Sequence, residues 1–442
     1  MGECMNFGTS ARRTTVVVAG LTAAVQVAGP AAAAAPSLRT ERVSVSTAGA
    51  QGDAPAISGD LSADGRYVVF DSFSSTLVPG DTNDNEDVFL RDCRTNVTTR
   101  LSVSATGEQA DGSSGSAQIS ADGRYVTFIS YAANLVPGPQ RADIGYDVYL
   151  LDRRTGTLTR ITESPDGRPG DGDSYNPSIS ADGRYVTFQT YAANLIPGVA
   201  GGNVLLYDRT TAQLSPVSVA ADGTATEAGG AAPSISDNGR YVAFVSWSAT
   251  LTPGDTNGVG DVYVRDVVAG TTVRASVADN GQEIAGDSRG GEVSNNGRVT
   301  FWSDDSTLVP GDDNGAADVF VRDLAAGTTS LVSTATDGAP ADNYSGGPSI
   351  TANGRYVVFH SAATNLAPGD TNGVEDVFRK DLQTGTTTLV SRRTTGTQAN
   401  NSSINPKITP NGKFIAYGSD ATNLTANDTN GLTDLYITRL PH

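Results

Sequence analysis

Five short stretches of this 442-residue chain carry the pattern Asp-x-Asn-x-x-x-Asp. They are Asp81-Asn83-Asp87, Asp255-Asn257-Asp261, Asp312-Asn314-Asp318, Asp370-Asn372-Asp376 and Asp428-Asn430-Asp434. Side-chain oxygens at alternate positions of a tight loop can converge on one point, and Ca2+ collects about six to eight such hard ligands. The same residue types also bond their own backbone in turns, which is the commoner use. Two readings therefore stand for these residues: Ca2+ ligation that stiffens the loop, or capping without metal. An EF-hand is excluded. Its twelfth position would be Asp381, carried roughly 16 Å away by extended chain at about 3.3 Å per residue.

Other residues recur at fixed offsets. Asp53, Asp111, Asp171, Glu227, Asp342 and Asn400 form a second acidic column, read either as turn-initiating residues or as an acidic ring. Phe73, Tyr131, Tyr191 and Trp247 form an aromatic column whose last three positions hold Asp304, Ala362 and Asp420. That asymmetry suits a sugar- or peptide-binding patch; packing between repeats is the plainer reading. Gly286-Asp287-Ser288-Arg289-Gly290 matches G-x-S-x-G but lies between strands, whereas a nucleophile elbow joins a strand to a helix. The histidines are His360, in a strand, and His442, at the terminus, so no triad is expected.

The elements that position these residues repeat. Glycines 65, 123, 183, 239, 297, 354 and 412 recur roughly every 58 residues, each after Asp or Asn. Asp-Gly and Asn-Gly between apolar runs are hairpin signals, because both central residues of a type I′ turn take positive φ. Each repeat reads as four strands. In the second copy, A ends at Ile119-Ser120, B is 125–129, C is 148–151 and D is 158–161. Both faces of strand B are apolar, so each small sheet is covered on both sides. A four-stranded antiparallel unit flanked by its own copies is a propeller blade. The seventh copy lacks strand D, and Thr40–Ser46 reads as a strand D without an owner. The expectation is an all-β, seven-bladed propeller spanning 36–442, closed by the N-terminal strand, with a segment near Val45 beside Tyr436. The fifth copy, Gly297-Arg298-Val299-Thr300-Phe301, is one residue short and lacks the tyrosine, so a bulge is expected there. Recurrent Arg66, Arg124 and Arg184 after the turns, and Asp92, Asp152 and Asp208 after strand C, read as structural pairs.

The units Ile119-Ser-Ala-Asp-Gly-Arg-Tyr-Val and Asp147-Val-Tyr-Leu-Leu-Asp resemble the WD40-like propeller repeats of the TolB family (PD40 repeats). The resemblance covers essentially all of the mature chain and implies an exported propeller used for interaction. The chain departs from that family in its long acidic B-to-C loops and in having no separate N-terminal domain of the TolB kind, so the Tol-Pal partnership is not carried over.

Residues 1–35 read as an export signal: Arg12-Arg13, an alanine-rich apolar run, and small residues at Ala33 and Ala35. No later run approaches a membrane span. A secreted, periplasmic or cell-envelope monomer is expected. Cys4 would leave with the signal, so Cys93 has no disulfide partner. The net charge of -18 argues against nucleic acid. The expected function is a non-catalytic binding scaffold for a protein or glycan. The alternative is a polysaccharide-acting hydrolase or lyase using carboxylates at the channel mouth. A scaffold needs only the repeated acids, whereas an enzyme needs a unique pair in a deep pocket. Asp71 and Glu163 stand outside the columns, with no evident partner.

Overall fold

Strand B of the first blade, Tyr67–Ser72, reads Tyr-Val-Val-Phe-Asp-Ser. Its β-branched and aromatic residues suit a pleated surface, and they are buried on both sides. Val69 packs with Ala117, Val126 and Phe128 of the next blade. Val68 and Phe70 pack with Ala416, Leu435 and Ile437 of the last one. The core therefore lies between blades, and each fully buried Val or Phe contributes about 1.5–3 kcal/mol.

The computed structural model describes residues 38–141, 144–220, 222–224 and 229–441; the expected export signal and Cys4 lie outside them. Seven four-stranded antiparallel sheets form the wheel. The first blade comprises strands A (Gly59–Leu61), B (Tyr67–Ser72), C (Asp87–Asp92) and D (Val97–Arg100). In every blade strand A turns sharply into B, so the A-to-B and C-to-D turns share one face. The B-to-C and D-to-A loops share the other.

The ring closes through the N-terminal strand. Arg39–Arg42 pairs antiparallel with Asp434–Arg439, placing Thr40 opposite Thr438 and Arg42 opposite Tyr436. Val43 N donates to Leu435 O at 2.8 Å, and Ser44 Oγ to Asp434 Oδ1 at 2.6 Å. The N-terminal segment lies beside Tyr436 as expected, with Arg42 directly opposite it and Val45 three residues further on. Val45 bridges Gln51, as Val103 bridges Gln109 and Val277 bridges Glu283, because Ser44 must reach the carboxylate that opens strand C.

The expected distortion of the fifth strand B is absent. Arg298–Ser303 pairs with Asp318–Asp323 without a slip, Arg298 standing opposite Asp323 where Tyr67 stands opposite Asp92. The missing residue is absorbed in the turn, where Ser294 N bonds Arg298 O. Bulges lie instead in strand A of the second to seventh blades. One residue of each takes positive φ: Ser116, Asn176, Ala232, Gly290, Gly347 and Asn405.

Candidate functional site

The acidic loops are built by strand C. Its first residue is buried and accepts a hydroxyl from the segment after strand D. Ser102 donates to Asp87, Ser276 to Asp261 and Ser333 to Asp318, each at 2.5 Å; Ser391 donates to Asp376. The asparagines present Nδ2, a donor, to the site: in three loops it bonds the strand-C aspartate, Asn257 to Asp261, Asn314 to Asp318 and Asn372 to Asp376. Nδ2 of Asn83, Asn257, Asn314, Asn372 and Asn430 donates to the backbone carbonyl of Ala110, Ile284, Ala341, Ala399 and Gly52 respectively, at 2.9–3.2 Å. Their Oδ1 atoms accept the amide two residues on. They staple each B-to-C loop to the next D-to-A loop.

In three of the five loops the last residue of strand D is an arginine between the two carboxylates. Arg100 Nη1 lies 3.2 Å from Asp81 and 3.1 Å from Asp87. Arg274 Nη1 lies 3.6 Å from Asp255, 3.1 Å from Asp261 and 2.5 Å from Glu283. Arg42 Nη1 lies 3.6 Å from Asp428 and 2.9 Å from Asp434. Asp255, Asp261 and Glu283 bring oxygens within 4.8 Å of one another, a grouping that could hold a metal ion, but the guanidinium already supplies its positive charge. In the sixth blade Gln398 Nε2 bridges Asp370 and Asp376, each at 2.8 Å. Burial pushes Asp318 and Asp376 up to about 6.

The second acidic column caps turns. Asp111, Asp171 and Asp342 accept the backbone amides of Ala133, Ala193 and Thr364 at 2.7–2.8 Å. Asp53 takes the Ser74 and Ser75 hydroxyls. Glu227 lies outside the described residues. Ser288 of the G-x-S-x-G motif starts a strand A, at the position of Ser114, Ser174, Ser345 and Ser403.

The aromatic column rises on the loop face. Phe73, Tyr191 and Trp247 are each more than half exposed, at 56%, 55% and 54%. Tyr131 joins a ladder that the sequence reading missed. Its ring centroid lies 5.2 Å from Tyr146, which lies 5.6 Å from Tyr175, itself 6.5 Å from Tyr191. Across the channel, Trp302, Tyr344 and His360 form a shorter series at 6.2 and 5.8 Å. The signal was available: Tyr146, Tyr175 and Trp302 break the repeat at positions where most other blades carry no aromatic.

The seven A strands enclose a central channel of about 440 Å3. Two acid groups in it also break the repeat. Near the loop face, Asp71 and Glu86 hydrogen-bond to each other, and Asp71 also takes the Ser116 amide. Gly115 leaves them room: a Cβ there would sit 3.1 Å from Glu86 Oε2. Burial raises both acids, and the charge of one raises the other, so the pair retains a proton near neutrality. Asp71 thus has the partner the sequence did not reveal, and Glu163 pairs with Arg160 at 3.2 Å. Toward the turn face, Lys407 Nζ bonds Glu292, with Asp60 and Asp237 nearby. Burial pushes Asp60 and Asp237 up to about 6.

No known family's sequence profile and no curated protein matches the chain. Solved structures share the architecture. An oligogalacturonate lyase from Vibrio parahaemolyticus is similar over 92% of this chain and 98% of its own, at 12% identity and a TM-score of 0.54. The propeller domain of the Trilobed protease from Pyrococcus furiosus is similar over 87% of this chain and 95% of its own, at 10% identity and 0.52. That propeller is described as having an open velcro topology, whereas here the N-terminal strand closes the ring. TolB from Acinetobacter baumannii is similar over 76% of this chain at 14% identity and a TM-score of 0.38. The expectation that the protein is no enzyme does not stand: an enzyme has the same fold along nearly its whole length, and Asp71–Glu86 is an acid pair of the kind the repeated columns lack. At these identities the likeness establishes the seven-bladed propeller and nothing finer.

Proposed function

We propose that the protein is exported and binds a glycan across the aromatic rim, over the mouth of the central channel. The observation that carries this is the ladder Tyr131–Tyr146–Tyr175–Tyr191, whose neighbouring rings lie within 6.5 Å. Tyrosine offers an apolar ring for the C–H face of a sugar and a hydroxyl for its rim, at little conformational cost. The ring oxygens are already oriented: Gln189 Nε2 donates to the Tyr191 hydroxyl at 3.0 Å, and the Tyr175 hydroxyl donates to Asp173 at 2.7 Å.

The electrostatics select among glycans. Asp60, Asp71, Asp237 and Glu292 line the channel, Glu86 bonds Asp71, Lys407 is the one lining cation among the described residues, and the chain carries a net charge of -18. A polyanion such as a uronate chain is repelled there. A neutral or amino-bearing polysaccharide fits. The experiment is isothermal calorimetry with neutral, cationic and anionic oligosaccharides. Tighter binding of the anionic series would overturn the reading.

A second reading, cleavage of the bound polymer, is favoured by the Asp71–Glu86 pair. Carboxyls in direct hydrogen bond are closer than the roughly 5 Å of a retaining glycosidase pair, so they would serve as a single acid. Chromatography of oligosaccharides incubated with the protein reports cleavage, and Asp71→Asn would stop it.

A further inference from the structure

We infer that the fifth blade holds one divalent cation between Asp312 and Asp318, at the place an arginine fills in three other blades. The inference stands apart from the glycan reading. The repeated blades differ from one another at this place. Arg100 is registered opposite Phe89, Arg274 opposite Tyr263 and Arg42 opposite Tyr436, and each delivers its guanidinium to the paired aspartates. The residue opposite Phe320 is Leu331. The same blade also loses the second donor. Gln109, Gln51 and Gln398 donate to the first aspartate of their loops from the bridge position that follows strand D, and in the fifth blade that position is Pro340.

Two buried carboxylates are left facing each other. Asp312 is 7% exposed, Asp318 is fully buried, and Asp312 Oδ1 has no hydrogen-bond partner. Asp318 is held by Ser333 at 2.5 Å and by Asn314 Nδ2 at 2.6 Å. Without an ion Asp318 hydrogen-bonds to Asp312, which requires the pair to hold a proton, and the neighbouring charges of Asp313 and Asp305 are both negative. Buried like charges without a counter-ion are costly, and the fold elsewhere answers them with an arginine. An all-oxygen site in a loop matches Ca2+, with loop carbonyls and water completing the shell.

The test is calorimetry and thermal melting of the full chain with CaCl2 alone. Wild type should bind one ion per chain and melt higher when loaded. Leu331→Arg should bind none and melt, without added Ca2+, near the temperature of the loaded wild type. Asp312→Asn leaves the loop staples in place and should abolish binding and the melting shift together. A wild type that neither binds nor shifts in millimolar Ca2+, or a Leu331→Arg variant that binds as wild type does, overturns the inference.

Discussion

The ring of Tyr67 occupies the space that a Cβ on Gly123 would need. The two come from adjacent blades, and a Cβ there would approach the ring to 2.4 Å while Gly123 holds φ at +71°. The same contact joins Tyr125 to Gly183 and Tyr185 to Gly239. The Tyr67 ring is also flanked by guanidinium groups, Arg66 at 4.6 Å and Arg153 at 4.2 Å. The hairpin glycine thus serves twice, once for the turn and once for the seam between blades. Gly123→Ala combines left-handed strain of about 1–2 kcal/mol with overpacking of about 1–3 kcal/mol, and should destabilise the protein by about 2–5 kcal/mol in denaturant titration.

Opening the clasp should cost as much through one residue. Arg42 and Asp434 have side chains 7% and 3% exposed and lie 2.9 Å apart. Asp434→Ala leaves the guanidinium with only the more distant Asp428 and the Thr425 hydroxyl and removes the acceptor of Ser44, so a loss of about 3 kcal/mol is expected. Arg42→Met keeps the stem but leaves Asp428 and Asp434 buried without their counter-charge, so a similar loss is expected. A loss under about 1 kcal/mol in both variants would show that packing alone holds the clasp.

Two sets of aspartates act on stability with opposite sign. Asp237 is raised to about 6 by burial and by the charges of Glu292 and Asp60. The folded state therefore binds its proton more tightly, and stability falls as pH rises from about 4 to about 6. Asp381 is lowered to about 2 by Arg355, so its contribution is complete above the usual carboxylate range and lost as pH falls below it. Asp237→Asn should flatten the loss between pH 4 and 6 without changing acid unfolding. Arg355→Ala should move acid unfolding to higher pH. Melting temperature against pH measures both.

The cation exchange between blades should run in reverse. Removing Arg274 exposes Asp255, Asp261 and Glu283, whose oxygens already lie within 4.8 Å of one another. Arg274→Leu should lose stability in chelator and regain it in millimolar Ca2+, with the bound ion counted by calorimetry. A variant that gains no ion would show that three converging carboxylates do not suffice in this loop.

On the rim, Tyr146→Ala removes the ring that links Tyr131 to Tyr175. Glycan affinity should fall roughly tenfold, which is about 1.4 kcal/mol. The melting temperature should hold nearly steady, because Tyr146 is half-buried at the loop face.

The sequence displayed the wheel because its local signals repeat. Asp-Gly and Asn-Gly turns mark every blade, and the unpaired Thr40–Ser46 segment announces closure. Register was less legible, since a side-chain bond from Ser44 to Asp434 sets it, and nothing local to either residue reveals that bond. The channel acids were hidden for a different reason. Asp71 and Glu86 are a pair only because strand A of the next blade bulges and presents Gly115 beside them, and that bulge uses Ser116 at φ 53° without a glycine to signal it. The Arg-to-Leu exchange at Leu331 was visible in the letters. Its meaning required knowing which residue stands opposite Phe320.

The hydroxyl of Thr40 meets that of Thr438 across 398 residues of chain. The strand Arg39–Arg42 must therefore wait for Asp434–Arg439 before it has a neighbour. Until then six nearly finished sectors end in two open edges, and the final step of folding is an end-to-end search rather than a local zippering. Such non-local pairing is slow.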